Sequence, residues 1–146
     1  MPAYTDSIGF NKGSVGFDAN GVTHGTKMEV LIDLPKIVAA RLAAGATALA
    51  NGDSLDVLPI PAGALVVATG FQTLTLQASL TASLGDAASA TRYLNASTAP
   101  QSVGWSALGG ATPFLYTADG VLRLTLAGAT PTTAVLRVWA YVVDAN

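Results

Sequence analysis

Hydrophobic and polar residues alternate most strictly over residues 72–84. The apolar positions are Leu74, Leu76, Ala78, Leu80, Ala82 and Leu84, and the polar positions are Thr73, Thr75, Gln77, Ser79, Thr81 and Ser83. Because successive side chains of a strand point to opposite faces, this period of two predicts one long strand with a buried face and a polar face. The polar face carries almost no charge, so we expect its residues, Thr73, Thr75 and Gln77 among them, to contact another protein chain at least in part.

Further strands are predicted on both sides of this segment. Apolar runs at 55–60 and 64–68 are joined by a Pro-Ala-Gly turn. A strand at 112–117 leads to the Asp119-Gly120 turn, and residues 121–126 then alternate, which places Leu122, Leu124 and Leu126 inside. Residues 92–94 favour a short strand, and residues 95–111, rich in Ser, Gly and Pro, indicate a long loop.

The closing strand, residues 134–143, has two largely apolar faces. One face carries Leu136, Val138, Ala140 and Val142, and the other carries Arg137, Trp139, Tyr141 and Val143. Both faces are therefore expected to be covered. Trp139 and Tyr141 are predicted subunit contacts, because aromatic residues concentrate at interface centres. Packing of both rings under another part of the same chain is an alternative that the sequence leaves open.

One strand and one short helix precede these strands. In residues 27–34, Met28, Val30 and Ile32 fall on one face. Pro35 suits the first position of a helix that we expect to run over residues 35–44 and to stop at Gly45. Several strands separated by turns indicate an all-β fold, an antiparallel β-sandwich or jelly roll, in a single domain over residues 27–146.

Residues 1–26 are predicted to form an extended N-terminal arm. Five glycines interrupt every run, yet Tyr4, Phe10 and Phe17 are spaced through the segment, which a solvated linker would not need. We expect the arm to place these aromatic rings against adjacent subunits or a capsid. An irregular segment packed on its own domain is the alternative.

Charge is scarce in this chain. Charged residues make up 11% of the 146 residues, against about 25% in typical domains. So few charges leave strand edges poorly protected, which indicates that other chains cover much of the surface. The seven Lys and Arg residues are scattered and the net charge is −2, so no nucleic-acid partner is expected. No apolar run approaches the ~18 residues of a membrane span, so no membrane partner is expected.

Residues with catalytic or metal-binding chemistry are few and isolated. The chain has no cysteine and one histidine, His24, which lies among glycines where a catalytic base would be poorly held. Asp53, Asp56 and Asp86 could bind calcium if the fold brought them together, but Gly-Asp pairs are ordinary turn chemistry. We therefore expect no enzyme activity, no catalytic residue, no cofactor and no metal site.

Four segments resemble small structural proteins of tailed bacteriophages, in particular capsid decoration (cement) proteins with a β-sandwich or jelly-roll body. The segments are DSLDVLPIPAGALVV at 53–67, SLGD at 83–86, ADG at 118–120 with the LRLTLAG that follows it, and the closing VLRVWAYVVDA. The resemblance covers most of residues 27–145 and does not include the arm. It implies a virion protein, often a homotrimer, which sits on the capsid surface and bridges neighbouring subunits of the major capsid protein.

Two other kinds of β-sandwich protein remain open. A phage tail or fibre module, or a carbohydrate-binding jelly-roll module, would carry sugar-facing aromatic rings at exposed loop tips. Trp105 and Tyr116 are the residues that such a protein would use.

Overall fold

The computed structural model describes residues 25–105 and 113–145. Within these ranges the elements are β1 Gly25–Asp33, α1 Leu34–Ala43, β2 Ser54–Ile60, β3 Ala64–Thr75, β4 Thr81–Gly85, β5 Leu94–Ser97, β6 Gly104–Trp105, β7 Phe114–Leu115, β8 Gly120–Ala127 and β9 Val135–Asp144. A single 3-10 turn lies at Ala99–Gln101. Residues 1–24 of the predicted arm lie outside the described residues, and residues 25 and 26 begin β1.

The strands form two antiparallel sheets. Sheet A has the order β1-β9-β3-β6, with β7 also paired to β3, and sheet B has the order β2-β8-β4-β5. The chain passes from one sheet to the other between β1 and β2, β2 and β3, β3 and β4, β5 and β6, β7 and β8, and β8 and β9. The predicted all-β sandwich is confirmed. No helix in the described part of the chain is long and apolar enough to cross a membrane.

The core lies between the two sheets. Residues on β8 and β9 alternate as predicted: Leu122, Leu124, Leu126, Leu136, Val138 and Ala140 are all fully buried. Sheet A adds Val66 and Phe71, and sheet B adds Ile60 and Leu84. Burial of such apolar surface supplies the main favourable term of folding, about 1.5–3 kcal/mol for each fully buried Leu or Phe side chain.

The helix begins and ends within one residue of its predicted limits. The Asp33 side chain caps its first turn by accepting a hydrogen bond from the backbone N–H of Lys36 at 3.3 Å. Pro35 lies in the first turn, where its missing N–H costs no hydrogen bond. Gly45 follows the helix with a φ of 79°, a left-handed conformation that glycine adopts without strain.

The prediction of one long strand over residues 72–84 is wrong. The segment forms the end of β3 in sheet A and the first four residues of β4 in sheet B, and the chain crosses between the sheets over residues 76–80. Its predicted polar face is also wrong in part, because Thr73 and Gln77 are 0% and 9% exposed whereas Leu74 and Leu76 are 36% and 46% exposed.

The physical reason is that hydrogen bonds inside the sandwich satisfy these two polar side chains. Thr73 Oγ1 donates to the carbonyl of Ala99 at 3.1 Å. Gln77 Oε1 accepts from the backbone N–H groups of residues 132–134 at 2.9–3.3 Å, and Gln77 Nε2 donates to the carbonyl of Thr130 at 2.7 Å. A buried polar group with such partners has little desolvation cost left. A shift in the β3–β9 register between Val66 and Ala68 also changes which positions of β3 face inward.

Candidate functional site

The outer face of sheet A, which points away from sheet B, is the first candidate site. Antiparallel partners share a face, so the register groups its residues in rows across β1, β9 and β3. The rows are Lys27, Tyr141 and Ala68; Glu29, Trp139 and Gly70; and Leu31, Arg137 and Gln72. Leu31 is 51% exposed and Tyr141 is 44% exposed, so the face presents large apolar side chains to its surroundings.

Charges on this outer face compensate one another. The Glu29 carboxylate lies 3.4 Å from Lys27 Nζ and 3.2 Å from Arg137 Nε. Arg137 Nη1 also donates to Gln72 Oε1 at 3.0 Å. Such half-exposed pairs contribute little to stability. Their effect is to hold the side chains in one arrangement and to leave the face weakly charged between its apolar residues.

Two aromatic side chains from β9 lie on the outer face. The Tyr141 ring covers Gly25, where an added Cβ would lie 2.5 Å from Tyr141 Cε1. Trp139 is partly buried, and its Nε1 is buried with no hydrogen-bond partner among the described residues. An N–H that is buried without a hydrogen-bond partner carries a desolvation cost. The predicted contact residues Trp139 and Tyr141 therefore lie in adjacent rows, and their role at an interface stays a prediction.

A buried polar cluster joins the two sheets at β7 and the end of β4. Asp86 follows β4 directly and is 5% exposed. Its carboxylate accepts hydrogen bonds from Arg92 Nε, from the Tyr116 hydroxyl at 2.8 Å and from the Ser89 backbone N–H at 2.8 Å. Because the Tyr116 hydroxyl donates its proton to Asp86, the Tyr93 hydroxyl is the donor in its hydrogen bond to the Tyr116 oxygen at 2.9 Å.

The Arg92 guanidinium continues this cluster onto β7. It lies 3.7 Å from the centroid of the Phe114 ring, which is cation–π geometry. The Phe114 ring meets the Tyr116 ring edge-on, with 5.0 Å between centroids. One charge pair thus ties the loop after β4, in sheet B, to the β7 segment of sheet A.

The electrostatics of the cluster suit it to a structural role. Burial alone would raise the pKa of Asp86, but hydrogen bonds from Arg92, Tyr116 and Ser89 outweigh it and hold that pKa below the ordinary value of an aspartate. Burial, together with hydrogen bonds to Tyr93 and Asp86, raises the pKa of Tyr116 far above its ordinary value. A carboxylate whose two oxygens already accept several hydrogen bonds is a poor proton acceptor, so the cluster is unsuited to general base catalysis.

The aspartates considered for calcium are separated by the fold. Asp56 pairs with Arg123 at 2.7 Å, Asp86 pairs with Arg92, and Asp53 accepts from the backbone N–H of Ala50 at 2.8 Å. Within residues 25–105 and 113–145, no group of three or more His, Cys, Asp or Glu side chains could hold a metal ion.

The other residues that the sequence predicts as contacts differ in position and exposure. Thr75 is exposed at the end of β3, whereas Thr73 and Gln77 lie inside. Tyr4, Phe10 and Phe17 lie outside the described residues, and so does His24. Tyr116, considered as an exposed sugar-binding ring, is 7% exposed with its hydroxyl inside the polar cluster, and that expectation is wrong.

The polar cluster was missed by reasoning from the sequence. The sequence places Arg92 and Tyr93 in a short strand and offers Asp86 only as a turn residue or a calcium ligand. The available signal was an Asp six residues before an Arg in a chain with few charges, although nothing local connects this pair to Tyr116.

The fold is an antiparallel β-sandwich of a kind that also occurs in phage capsids. Over 83% of its length, the chain is similar to 84% of a chain in the cyanophage Pam1 capsid asymmetric unit, with a TM-score of 0.57 and 23% sequence identity. Over 86% of its length, it is similar to 90% of a chain in the acidic stable capsid structure of Helicobacter pylori bacteriophage KHP30, with a TM-score of 0.52 and 14% identity. No protein-family model matches the sequence, and no curated protein matches it.

Proposed function

We propose that this chain is a structural protein of a phage virion. In this proposal it binds the outside of the capsid as a homo-oligomer, a trimer, and stabilises the shell by bridging neighbouring subunits of the major capsid protein. The observation that carries the proposal is the sandwich itself, which matches chains of two phage capsid structures over more than four fifths of this chain.

Surface chemistry supports a role in assembly. Large apolar side chains are exposed in several places, among them Leu31 at 51%, Tyr141 at 44% and Leu115 at 45%. Only 11% of the residues are charged, and those on the outer face of sheet A compensate one another. A surface of this kind gains free energy when another protein covers it.

The mechanism is passive. DNA packed in a head presses outward, and the shell fails where neighbouring capsid subunits part. A clamp bound to two subunits at once must be removed before they separate. A specific contact needs roughly 1,000 Å² of buried surface, and linking three protomers raises the effective concentration for rebinding. Modest individual contacts around a three-fold axis then suffice.

Contacts in this proposal come from the outer face of sheet A and from the N-terminal arm. Trp139 and Tyr141 supply aromatic anchors on the outer face, and Thr75 lies exposed at the end of β3. Tyr4, Phe10 and Phe17 supply anchors from the arm.

The test uses virions of the phage whose genome encodes the chain. Mass spectrometry of purified virions is expected to find the chain in many copies. Heads that lack it should rebind the purified protein and then release DNA at a higher temperature. Tyr141→Ala is expected to weaken rebinding, whereas Leu42→Ala, a matched loss of an exposed apolar side chain on α1, should not. A purified chain absent from virions and indifferent to heads would refute the proposal.

Deletion of residues 1–24 tests the arm separately. The truncated chain keeps β1 and the whole sandwich, so its circular dichroism spectrum should still show a β-protein. We expect it to lose most of its affinity for heads. Unchanged head binding and unchanged oligomer mass would remove the arm from the mechanism and leave the role of the outer face intact.

A further inference from the structure

Strand β1 forms an edge of sheet A that no other described strand pairs. It pairs with β9 over nine consecutive residues without a register shift, and it contains no proline. The edges of sheet B differ. Strand β2 has a register shift after Asp56 and carries Pro59, and β5 is four residues long and also pairs with a register shift. Among the described residues, the β1 edge is therefore long, regular and unpaired.

An edge of this kind is a template for another strand. Its outward backbone N–H and C=O groups form a regular row, and a partner strand that pairs with them extends the sheet. Bulges, prolines and very short strands commonly prevent such pairing, and β1 has none of them. Charged side chains also discourage it, but Lys27 and Glu29 of β1 already form an ion pair with each other.

We propose that β1 pairs antiparallel with β1 of a second copy, about a two-fold axis at Met28. This register places Lys27 opposite Glu29 of the second copy, and Glu29 opposite its Lys27. The Lys27–Glu29 ion pair on the outer face of each copy is thus joined to that of the other copy, and positive and negative charges alternate across the axis. A register centred on Glu29 would instead place two carboxylates opposite each other, which is destabilising.

The same register brings exposed apolar side chains together. Gly25 lies opposite Leu31 of the second copy, and the ring that covers Gly25 is that of Tyr141. Leu31 and Tyr141, 51% and 44% exposed in the single chain, therefore meet across the axis on the outer face. The two-fold repeats this contact, so four exposed side chains become covered. Aliphatic–aromatic pairs across strands are among the stabilising ones.

This contact goes beyond the proposed capsid function and does not depend on it. A two-fold contact is additional to a trimer and links one trimer to the next. In a capsid-bound array, many such contacts act together, so each can be weak in solution and still strengthen the array.

Disulfide trapping tests the register, since the chain has no cysteine of its own. Position 28 faces itself across the axis, where paired Cα atoms lie about 4.5–5.5 Å apart, a separation that a disulfide can bridge. Met28→Cys is expected to give a covalent dimer under mild oxidation of the folded protein. Thr26→Cys is the control, because its copies are four residues out of register, about 13 Å apart.

The outcome of this comparison is clear in either direction. Thr26 is the more exposed of the two residues, so random collisions would favour its cross-link over that of Met28. A dimer from Met28→Cys alone supports the register. Equal cross-linking of both variants, or none from Met28→Cys, overturns it.

A charge variant tests the same contact without cysteine. Lys27→Glu places two carboxylates opposite each other on both sides of the axis and is expected to weaken self-association about tenfold in sedimentation experiments. Lys36→Glu, the same charge change at an exposed lysine on α1, should leave it unchanged. Equal effects of the two variants would refute the contact. Both experiments use the purified chain alone, so their failure leaves the capsid proposal standing, and failure to bind heads leaves this contact standing.

Discussion

Thr69 and Thr73 lie on the same strand, β3, and face the same core. Thr69 is 4% exposed, and its Oγ1 has no hydrogen-bond partner in the part of the chain that the structure describes. Thr73 is 0% exposed, and its Oγ1 donates to the carbonyl of Ala99 at 3.1 Å. Valine has nearly the shape of threonine, with a methyl group in place of the hydroxyl. The substitution Thr→Val therefore removes an unpaired polar group at one position and a hydrogen bond at the other.

The expected effects on stability have opposite signs. Burying an unpaired hydroxyl costs about 1–3 kcal/mol, so Thr69→Val is expected to raise the free energy of unfolding by about 1–2 kcal/mol. Thr73→Val loses a hydrogen bond worth about 0.5–1.5 kcal/mol and leaves a carbonyl oxygen without its donor, so it should lower that free energy by about 1 kcal/mol. The two variants should differ by about 2–3 kcal/mol, which corresponds to about 5–10 °C in Tm for a chain of this length.

Urea denaturation at 25 °C, followed by circular dichroism, measures both free energies of unfolding. The slope of the free energy with urea should be the same for both variants and the wild type, since neither substitution changes the surface exposed on unfolding. Equal slopes with opposite shifts in the midpoint would support the reasoning. Two variants that are destabilised alike, within about 0.5 kcal/mol of each other, would refute it.

Three further predictions use the same assay. Gln77→Ala should lower the free energy of unfolding by about 2–4 kcal/mol, because three backbone N–H groups lose their acceptor; the control Gln72→Ala, on the outer face, should cost under about 1 kcal/mol. Asp86→Asn should cost about 2–3 kcal/mol at pH 7. Because the pKa of Asp86 is lower in the folded chain than in the unfolded chain, the wild-type advantage should be fully present above the unfolded pKa and be lost as the pH falls through the folded pKa. An advantage already lost between pH 7 and 5 would contradict this. Gly85→Ala should lower the free energy of unfolding by more than about 2 kcal/mol, since the added Cβ would clash with the backbone carbonyl oxygen of Ser89. Gly45→Ala, in open space at a φ of 79°, should lower it by about 1 kcal/mol. Similar losses at both glycines would contradict the steric argument.

The local pattern of hydrophobic and polar residues does not show where β3 ends. Leu74 and Leu76 continue the alternation that Leu80, Ala82 and Leu84 share, so a period of two runs unbroken through a crossover between sheets. Periodicity reports which residues can share a face, but it does not report which sheet supplies that face. Thr75 pairs with Val135, which is the first residue of β9. The residues after Thr75 therefore find no further partner on β9, and the chain leaves sheet A there.

The burial of Thr73 and Gln77 inside the sandwich could not be predicted from the sequence for a related reason. A threonine or glutamine in an alternating pattern is normally assigned to the solvent face, because burial without a partner is costly. The partners of Thr73 and Gln77 come from residues 99 and 130–134, which are far away in the sequence. The Asp86 cluster likewise depends on Tyr116, 30 residues further along the chain.

By itself, the sequence determined the elements whose signals are local. The inward leucines of β8, the two apolar faces of β9, the helix opened by Pro35 and closed by Gly45, and the all-β class all follow from periodicity and turn chemistry. The other features depend on the tertiary structure: the crossover after Thr75, the inward polar residues, the outer face of sheet A and the β1 edge, which no other described strand pairs. These features depend on which strands become neighbours, and that choice is made by long-range packing and hydrogen bonding that no short stretch of sequence encodes.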